Sequence, residues 1–229
     1  MKIDILSLFP DYFKGPFDES IIGQARKKGL IEINLIDIRS FADNRYRKVD
    51  DRPYGGGPGM VLMPQPVTQA IRSVRATHTH VVYLSPQGTL LNAAKSRQLA
   101  SYEHLVLLCG HYEGIDERAL KEVDEEISIG DYVLTNGCLP AIVLVDAMIR
   151  FVPGVLGHDS AANEDSFETG IFDCPHYTRP EVFEGTAVPE VLLSGNHKKI
   201  EEWRHRQALK KTQRVRPDLI KNQELELGE

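Results

Sequence analysis

The chain alternates short, nearly continuous apolar stretches with segments whose apolar residues recur at helical spacing, and this alternation constrains its fold more than any other feature. Strands buried on both faces of a sheet are almost continuously apolar, whereas helices that cover a sheet are apolar on one side. Strands that alternate with helices are typical of a parallel sheet covered by crossover helices. The sequence therefore predicts an α/β fold, with strands at residues 3–9, 32–38, 80–84 and 104–109 and helices at 20–28, 64–76, 92–100 and 139–151.

The composition changes after residue 157. Residues 158–170, HDSAANEDSFETG, are small, polar and acidic with a single large apolar residue, which is the composition of a linker. Beyond them, stretches punctuated by proline lead into a basic helical segment. We expect a main α/β domain at 1–157, a linker at 158–170 and a small, mostly helical second domain at 171–229.

The sequence contains no feature of a membrane or secreted protein. No apolar run approaches the roughly 18 residues of a membrane helix, and the first residues lack the apolar core and cleavage site of a signal peptide. The three cysteines, Cys109, Cys138 and Cys174, lie far apart without a C-x-x-C pair, which argues against a disulfide framework and a zinc site. Cys109 ends the apolar run HLVLLC and is expected to be a small buried side chain. These features predict a cytoplasmic protein without a metal site.

A basic segment stands out from the acidic remainder of the chain. Residues 196–221 carry nine Lys and Arg against three Asp and Glu, a local charge of +6, whereas the remaining chain carries −12. Such a segment is a candidate contact for a polyanion, and Trp203 within it could stack on a nucleobase. A solvated helix face with Trp203 anchored in a core is an equally good interpretation of the charge alone.

Glycine and proline concentrate in four loops. Two of them follow predicted strands and a third comes next along the chain, and we expect these three to share the edge of the sheet where ligands of parallel sheets bind. Together they would form a pocket lined by backbone N–H and C=O groups, which suits an adenine ring or a small zwitterion. No G-x-G-x-x-G, G-x-x-x-x-G-K-[ST] or G-x-S-x-G motif is present, which argues against a dinucleotide site, a triphosphate site and a hydrolase nucleophile. The four loops are DRPYGGGPGM (51–60), YLSPQG (83–88), CGHYEGIDER (109–118) and EEISIGDYVLTNGCLPA (125–141).

Eight motifs carry a resemblance to a known family. In chain order they are DDRPYGGGPGM, YLSPQG, CGHYEGIDER, SIGDYVL, RFVPGVLGH, EDSF, CPHYTRPE and VLLSGNH. Nearly the whole chain resembles the bacterial TrmD family, the tRNA (guanine-N1)-methyltransferases of the SPOUT superfamily. The resemblance implies a SPOUT-type parallel sheet with a deep trefoil knot that binds S-adenosylmethionine. It also implies a homodimer that methylates N1 of the guanine immediately 3′ of the anticodon, position 37 of tRNA.

The resemblance places the cofactor in the last three of the four loops. The methyl donor is then expected to contact residues from each of these loops. Use of Mg²⁺ is also implied, although no cluster in the sequence has a ligand spacing that demands a metal. The expected contacts of the donor are Tyr83, Leu84, Ser85, Pro86, Gln87, Gly110, Tyr112, Glu113, Gly114, Ser128, Ile129, Gly130, Asp131, Tyr132, Val133, Leu134, Gly137 and Pro140.

The reaction requires a base and a cationic group. Guanine N1 carries a proton that a carboxylate can remove, and negative charge then develops on O6. The resemblance assigns the base to Asp165 and the cation at O6 to Arg150, with the donor of one subunit facing the aspartate of the other. Without the resemblance, Asp165 would be one acid among four in a polar linker, and Arg150 a cation at a helix C-terminus.

The resemblance also assigns residues to tRNA. The glycine-rich loop would dock the flipped guanine against backbone groups, with Asp50 recognising the neighbouring guanine; a rigid surface turn is the alternative. The basic segment would contact phosphates. The residues expected to contact tRNA are Asp50, Gly55, Gly56, Gly57, Gly59, Lys198, Lys199, Arg204 and Arg206.

Some positions depart from the family pattern. The family often has arginine where this chain has His111, and histidine where it has Tyr46. The stretch TNGCLP replaces a more usual Gly-Gly-Glu sequence, so that Asn136 and Cys138 stand where the family has other residues. Asn136 is expected to adopt the backbone angle of a glycine, and Cys138 removes an acid near the donor. The C-terminus is expected to be short. Two other classes of protein remain alternatives: a SPOUT enzyme that methylates ribose 2′-OH, and an RNA-binding module without a cofactor.

Overall fold

The computed structural model describes residues 1–157 and 165–220. The chain divides into two compact units, residues 1–157 and 158–229, and each is described by itself. Most of the expected linker (158–164) and the end of the tail (221–229) lie outside the described residues. No helix in the described ranges is long and apolar enough to cross a membrane.

The first unit is built on a five-stranded, fully parallel sheet, which confirms the predicted α/β class. The order of its strands is β2-β1-β6-β5-β7. A two-residue antiparallel pair, β3 and β4, flanks the glycine-rich loop. The strands are β1 (Lys2–Ser7), β2 (Glu32–Asp37), β3 (Asp50–Asp51), β4 (Val61–Leu62), β5 (Thr79–Leu90), β6 (His104–Cys109) and β7 (Glu125–Ser128), and the helices are α1 (Ser20–Lys27), α2 (Pro64–Val74), α3 (Ala93–Ala100) and α4 (Cys138–Ile149).

Two parts of the strand prediction were wrong. Residues 125–128, expected in a loop, form β7; it is an edge strand with the half-buried Glu125 and Glu126, and charged residues are common on sheet edges. The predicted loop at 83–88 lies within β5. Leu84 and Thr89 both pair with Ile127, so the four residues between them bulge out of the strand.

Helices cover both faces of the sheet. Strand β6 is buried along its whole length, and its side chains alternate between two hydrophobic clusters. Leu105 and Leu107 belong to the cluster that includes residues of α1, α3 and α4. Val106 and Leu108 belong to the cluster that includes residues of α2. Burial on both faces explains why this strand is a continuous apolar run.

A hydrogen-bonded charge network lies at the amino ends of the central strands. Asp4, 1% exposed, accepts from Asn34 Nδ2 at 2.9 Å and from His104 Nε2 at 2.8 Å, and its Oδ2 lies 3.1 Å from Lys2 Nζ. His104 Nδ1 lies 2.7 Å from Thr79 Oγ1. The network joins β1, β2, β5 and β6 at one edge of the sheet.

The second unit is smaller and contains a hairpin and two helices. These are β8 (Val182–Phe183), β9 (Thr186–Ala187), α5 (Glu190–Leu193) and α6 (His197–Val215). The Asn196 side chain caps α6 by accepting from the Lys199 N–H at 3.2 Å. Its core contains Ile171, Cys174 and Ala208.

Candidate functional site

A cleft of about 480 Å³ opens at the carboxyl edge of the sheet. Its walls are the bulge of β5, the loop after β6 and the segment between β7 and α4, the three loops that the sequence singled out. All of the expected donor contacts except Asp131 line it. The expected residues that line the cleft are Tyr83, Leu84, Ser85, Pro86, Gln87, Gly110, Tyr112, Glu113, Gly114, Ser128, Ile129, Gly130, Tyr132, Val133, Leu134, Gly137 and Pro140.

The loop after β6 and the segment before α4 are held together by backbone contacts. The Gly137 N–H donates to the Gly110 carbonyl at 2.8 Å, and His111 forms an antiparallel bridge with Asn136. A β-carbon at residue 137 would lie 2.8 Å from the Cys109 α-carbon, so only glycine fits at this crossing.

Tyr83 lies directly beneath Gly110. A β-carbon at residue 110 would lie 2.9 Å from Tyr83 Cε2 and 3.0 Å from its hydroxyl oxygen. Burial, assisted by the nearby Glu126 carboxylate, raises the pKa of Tyr83 to about 12. The floor of the cleft is therefore an uncharged aromatic ring at neutral pH.

Serine hydroxyls order two of the loops. Ser85 Oγ accepts from the Gln87 N–H at 3.1 Å within the bulge of β5. Ser128 Oγ donates to the Gly130 carbonyl at 3.0 Å after β7. These bonds hold the loops in shape from within.

The glycine-rich loop adopts backbone conformations that favour glycine. Its four glycines have φ values of +85°, +81°, +116° and +81°, a region that other residues occupy only with strain. A β-carbon at the first three would meet nothing within 4 Å, so there the requirement is conformational and not spatial. These residues are, in the same order, Gly55, Gly56, Gly57 and Gly59.

The end of the glycine-rich loop is attached to the cleft. The Glu113 N–H donates to the Met60 carbonyl and the Leu62 N–H donates to the Gly114 carbonyl, both at 3.0 Å. Gly59 lies against the Glu113 side chain, where a β-carbon would overlap the carboxylate. The loop expected to dock a base therefore adjoins a wall of the cleft expected to hold the donor.

Arg150, Asp165 and Asp50 occupy different positions in the two units. Arg150 is the exposed C-cap residue of α4 in the first unit. Asp165 lies in the second unit, where its carbonyl accepts from the Glu168 N–H at 3.3 Å. Asp50 is half-buried in β3 and pairs with Leu62.

Helix α6 displays its basic residues to solvent. The residues expected to contact tRNA, Lys198, Lys199, Arg204 and Arg206, are all exposed. Trp203 is half-buried, with its ring centroid 6.2 Å from that of Tyr177. The basic groups are thus available to a polyanion, and the indole lies beside the Tyr177 ring.

Sequence reasoning missed several residues of the cleft. All of them except Leu120 belong to the same loops, and only that membership could have indicated them. His111 is notable because its Nδ1 is, within residues 1–157 and 165–220, the one buried side-chain nitrogen or oxygen without a hydrogen-bond partner. The missed lining residues are His111, Ile115, Glu117, Leu120, Glu126, Ile127, Thr135 and Asn136.

The expectation for Asn136 was wrong. The residue does not adopt a positive φ; instead its side-chain Oδ1 accepts from the Cys138 N–H at 2.8 Å, at the start of α4. Asparagine stabilises the first turn of the helix here. Cys138 itself is buried, and Tyr46 is 85% exposed.

One group in the second unit brings together three potential metal ligands. The ligand atoms of Asp173, Cys174 and His176 lie within 4.8 Å of one another. Asp173 Oδ2 and His176 Nε2 are 2.7 Å apart. Burial alone would raise the pKa of Asp173, but hydrogen bonds from His176 and from the Cys174 backbone lower it. These contacts satisfy the carboxylate without an ion.

A cleft built from backbone loops at the carboxyl edge of a parallel sheet is typical of ligand-binding α/β proteins. The family described as "tRNA (Guanine-1)-methyltransferase TrmD" matches residues 1–222. The chain belongs to this family, as its motifs predicted.

Curated relatives support the same assignment. The "tRNA (guanine-N(1)-)-methyltransferase" of Protochlamydia amoebophila is 72% identical over 221 residues, which cover 96% of this chain and 100% of the relative. The proteins of the same name from Chlamydia trachomatis serovar D and Chlamydia muridarum are 61% and 60% identical over 220 residues, again 96% of this chain. The chain spans 62% of the length of these two Chlamydia proteins.

Proposed function

We propose that the chain transfers a methyl group from S-adenosylmethionine to N1 of the guanine immediately 3′ of the anticodon, position 37 of tRNA. The observation that carries the proposal is the cleft, which all but one of the residues expected to contact the donor line, in a chain of the TrmD family. Its volume of about 480 Å³ suits a small molecule of this size. When bound, the donor supplies an electrophilic methyl group on a sulfonium.

The cleft residues fit this donor chemically. Backbone N–H and C=O groups of the three loops can pair with an adenine edge and with the amino acid end of the molecule. The neutral Tyr83 ring offers an apolar floor. We infer that the segment joining β7 to α4 passes through the loop after β6 as a deep trefoil knot, an inference that the close crossing of Gly110 and Gly137 supports.

The proposed chemistry divides between two charged side chains. Asp165 removes the N1 proton as general base, which gives N1 the lone pair that attacks the methyl group. Arg150 donates to O6 and stabilises the negative charge that develops there. Since methyl transfer itself then requires only in-line approach, the positions of these groups determine the rate.

The glycine-rich loop and helix α6 serve tRNA in this proposal. The loop receives the flipped guanine beside Glu113, with Asp50 recognising the neighbouring guanine. The exposed Lys198, Lys199, Arg204 and Arg206 contact phosphates. We assign Mg²⁺ no residue in the reaction and place the reaction in the cytoplasm, where tRNA is modified.

We also propose a homodimer in which each active site is shared. Helix α4 buries one face in the core and exposes Leu139 and Val143 on another, which supports a second copy as its cover. Arg150 follows the same helix. In a mixture of Asp165→Ala and Gly110→Trp proteins after subunit exchange, a shared site would restore roughly a quarter of wild-type activity from two inactive parents. Sites contained within one chain would stay inactive.

The test of the function is Asp165→Asn in a tRNA methylation assay combined with calorimetric titration of the donor. We expect a loss of transfer by at least about 10²-fold with donor affinity unchanged. Glu181→Gln is the matched control, because Glu181 is also an acid of the second unit, is exposed and has no proposed role. Donor binding without transfer to any tRNA by the wild-type protein would contradict the proposal, and absence of donor binding would indicate an RNA-binding module.

A further inference from the structure

The thiols of Cys109 and Cys138 lie against each other beneath the cleft. Cys109 is the last residue of β6 and Cys138 the first of α4, and they are 2% and 1% exposed. Each thiol shifts the pKa of the other, and Cys138 Sγ lies 3.2 Å from Ser7 Oγ. No cofactor contact or proposed catalytic step uses either sulfur.

The backbone brings the two cysteines to one close crossing. His111 bridges Asn136 in antiparallel fashion, and Gly110 accepts from Gly137 at 2.8 Å. Cys109 precedes Gly110 and Cys138 follows Gly137, so this crossing brings the two cysteines side by side. A β-carbon at residue 137 would lie 2.8 Å from the Cys109 α-carbon.

The two thiols differ in their readiness to ionise. The hydrogen bond from Cys109, assisted by Ser7, lowers the pKa of Cys138 to about 7, while burial raises the pKa of Cys109. Cys138 also begins a twelve-residue helix, whose N-terminus favours a negative charge. Cys138 is therefore the nucleophile of the pair and Cys109 the thiol that can resolve its oxidation.

We propose that Cys109 and Cys138 form an oxidation site that hydroperoxides convert to an intramolecular disulfide, and that this disulfide closes the cleft. The Cys138 thiolate attacks a peroxide oxygen; the S–O bond forms, the O–O bond breaks, and the departing oxygen leaves as water with a proton. The Cys109 sulfur then attacks the Cys138 sulfur; the S–S bond forms, and the hydroxyl leaves as water with the Cys109 proton. Two thiols lose two hydrogens, and one hydrogen peroxide becomes two waters.

The position of the pair explains how oxidation would affect ligand binding. Gly110 and Gly137 line the cleft, and each is the chain neighbour of one of the cysteines. A covalent link draws the sulfurs from contact distance to about 2.05 Å, so it moves these two backbones at a crossing where a β-carbon at residue 137 would lie 2.8 Å from the Cys109 α-carbon. The same placement gives a small oxidant its shortest route, through the cleft, so an occupied cleft protects the pair. This last consequence rests on the proposed function.

The experiment treats the full chain with hydrogen peroxide under native conditions, followed by intact mass and non-reducing tryptic mapping. We expect the loss of two hydrogens and a linked pair of peptides, residues 98–118 with 122–150, both reversed by dithiothreitol. Cys174→Ser retains the pair and is the matched control; Cys138→Ser and Cys109→Ser must each abolish the link. Oxidation that yields only sulfinic acid, or links involving Cys174, would overturn the proposal.

Titration with S-adenosylhomocysteine tests the second half of the proposal. The oxidised protein should bind it at least about tenfold more weakly, about 1.4 kcal/mol, and bound ligand should slow formation of the link. Unchanged affinity after complete linkage would overturn closure of the cleft. If the reduced protein binds no S-adenosylhomocysteine, the proposed function fails, while the mass measurement still decides whether the disulfide forms.

Discussion

Gly59 lies against the side chain of Glu113, so that the end of the glycine-rich loop and a wall of the cleft are in direct contact. A β-carbon at residue 59 would overlap the Glu113 carboxylate, and the Glu113 N–H donates to the neighbouring Met60 carbonyl at 3.0 Å. The contact joins the loop proposed to receive the guanine to the cleft proposed to hold the methyl donor. A substitution in the loop should therefore affect the cleft, and a substitution in this wall of the cleft should affect the loop.

Gly59→Ala tests this contact, with Gly56→Ala as the matched control. Both glycines have φ of +81°, so both variants suffer the same backbone strain, about 1–2 kcal/mol. Only residue 59 meets Glu113, whereas a β-carbon at residue 56 meets nothing within 4 Å. We expect similar losses of stability by chemical denaturation but a kcat/KM for tRNA about tenfold lower for Gly59→Ala than for Gly56→Ala. Equal activities would show that the contact has no role in transfer.

Gly110→Ala tests the floor of the cleft. The added methyl group would lie 2.9 Å from the Tyr83 ring, which must shift toward the buried strands or push the loop into the cleft. Donor affinity measured by calorimetry should fall about tenfold or more. Gly157→Ala, where a β-carbon meets nothing within 4 Å and φ is not positive, should bind the donor as the wild type does. Normal donor binding by Gly110→Ala would place the donor elsewhere.

Helix α6 should contribute to tRNA binding mainly through charge. Lys198→Gln with Lys199→Gln removes two exposed cations from its first turn, so the slope of log K against log salt should flatten by about 1.5. The same double change at Lys27 and Lys28, exposed at the end of α1, is the control and should leave the slope unaltered. Equal slopes for both double variants would mean that this turn does not contact phosphate.

The hydrogen-bonded network around Asp4 predicts that this residue contributes to the stability of the first unit and not to ligand binding. Asp4→Ala leaves Asn34, His104 and Lys2 without their buried acceptor, at the sheet edge opposite the cleft. The free energy of unfolding of the first unit should fall by about 3 kcal/mol. Asp11→Ala breaks the exposed pair with Lys14 and should change it by less than about 1 kcal/mol. Similar values for the two variants would show that Asp4 contributes no more than a surface pair.

The central strands were predictable because burial on both faces leaves a continuous apolar run, as in β6. Strand β7 was not, because it is a four-residue edge strand with two glutamates, and its only partner, β5, is distant in sequence. Periodicity also placed α2 and α3 within two residues of their observed ends. An apolar pattern of period 2 or 3.6 reports which residues of a segment are buried. It therefore does not identify a strand that is short and buried on only one side.

The cleft was predicted loop by loop, but its internal contacts were not. Proximity of three loops follows from the parallel sheet, whereas the contact of Gly59 with Glu113 and the pairing of Cys109 with Cys138 depend on backbone paths that no local pattern encodes. Likewise, nothing in the sequence indicated that Nδ1 of His111 would be buried without a hydrogen-bond partner. Asn136 shows the limit of reasoning by substitution: its side-chain oxygen accepts from the N–H of Cys138, the first residue of α4, which a glycine at that position could not do.

The most direct test of the account is to map the methyl group on RNA. An unmodified tRNA transcript is incubated with the protein and an isotope-labelled methyl donor, digested with nuclease and analysed by mass spectrometry. We expect label as 1-methylguanine at the nucleotide immediately 3′ of the anticodon. We also expect no label when that guanine is replaced by adenine or when Asp165→Asn protein is used. Label on a ribose, on another base, or on the adenine-substituted transcript would contradict the account.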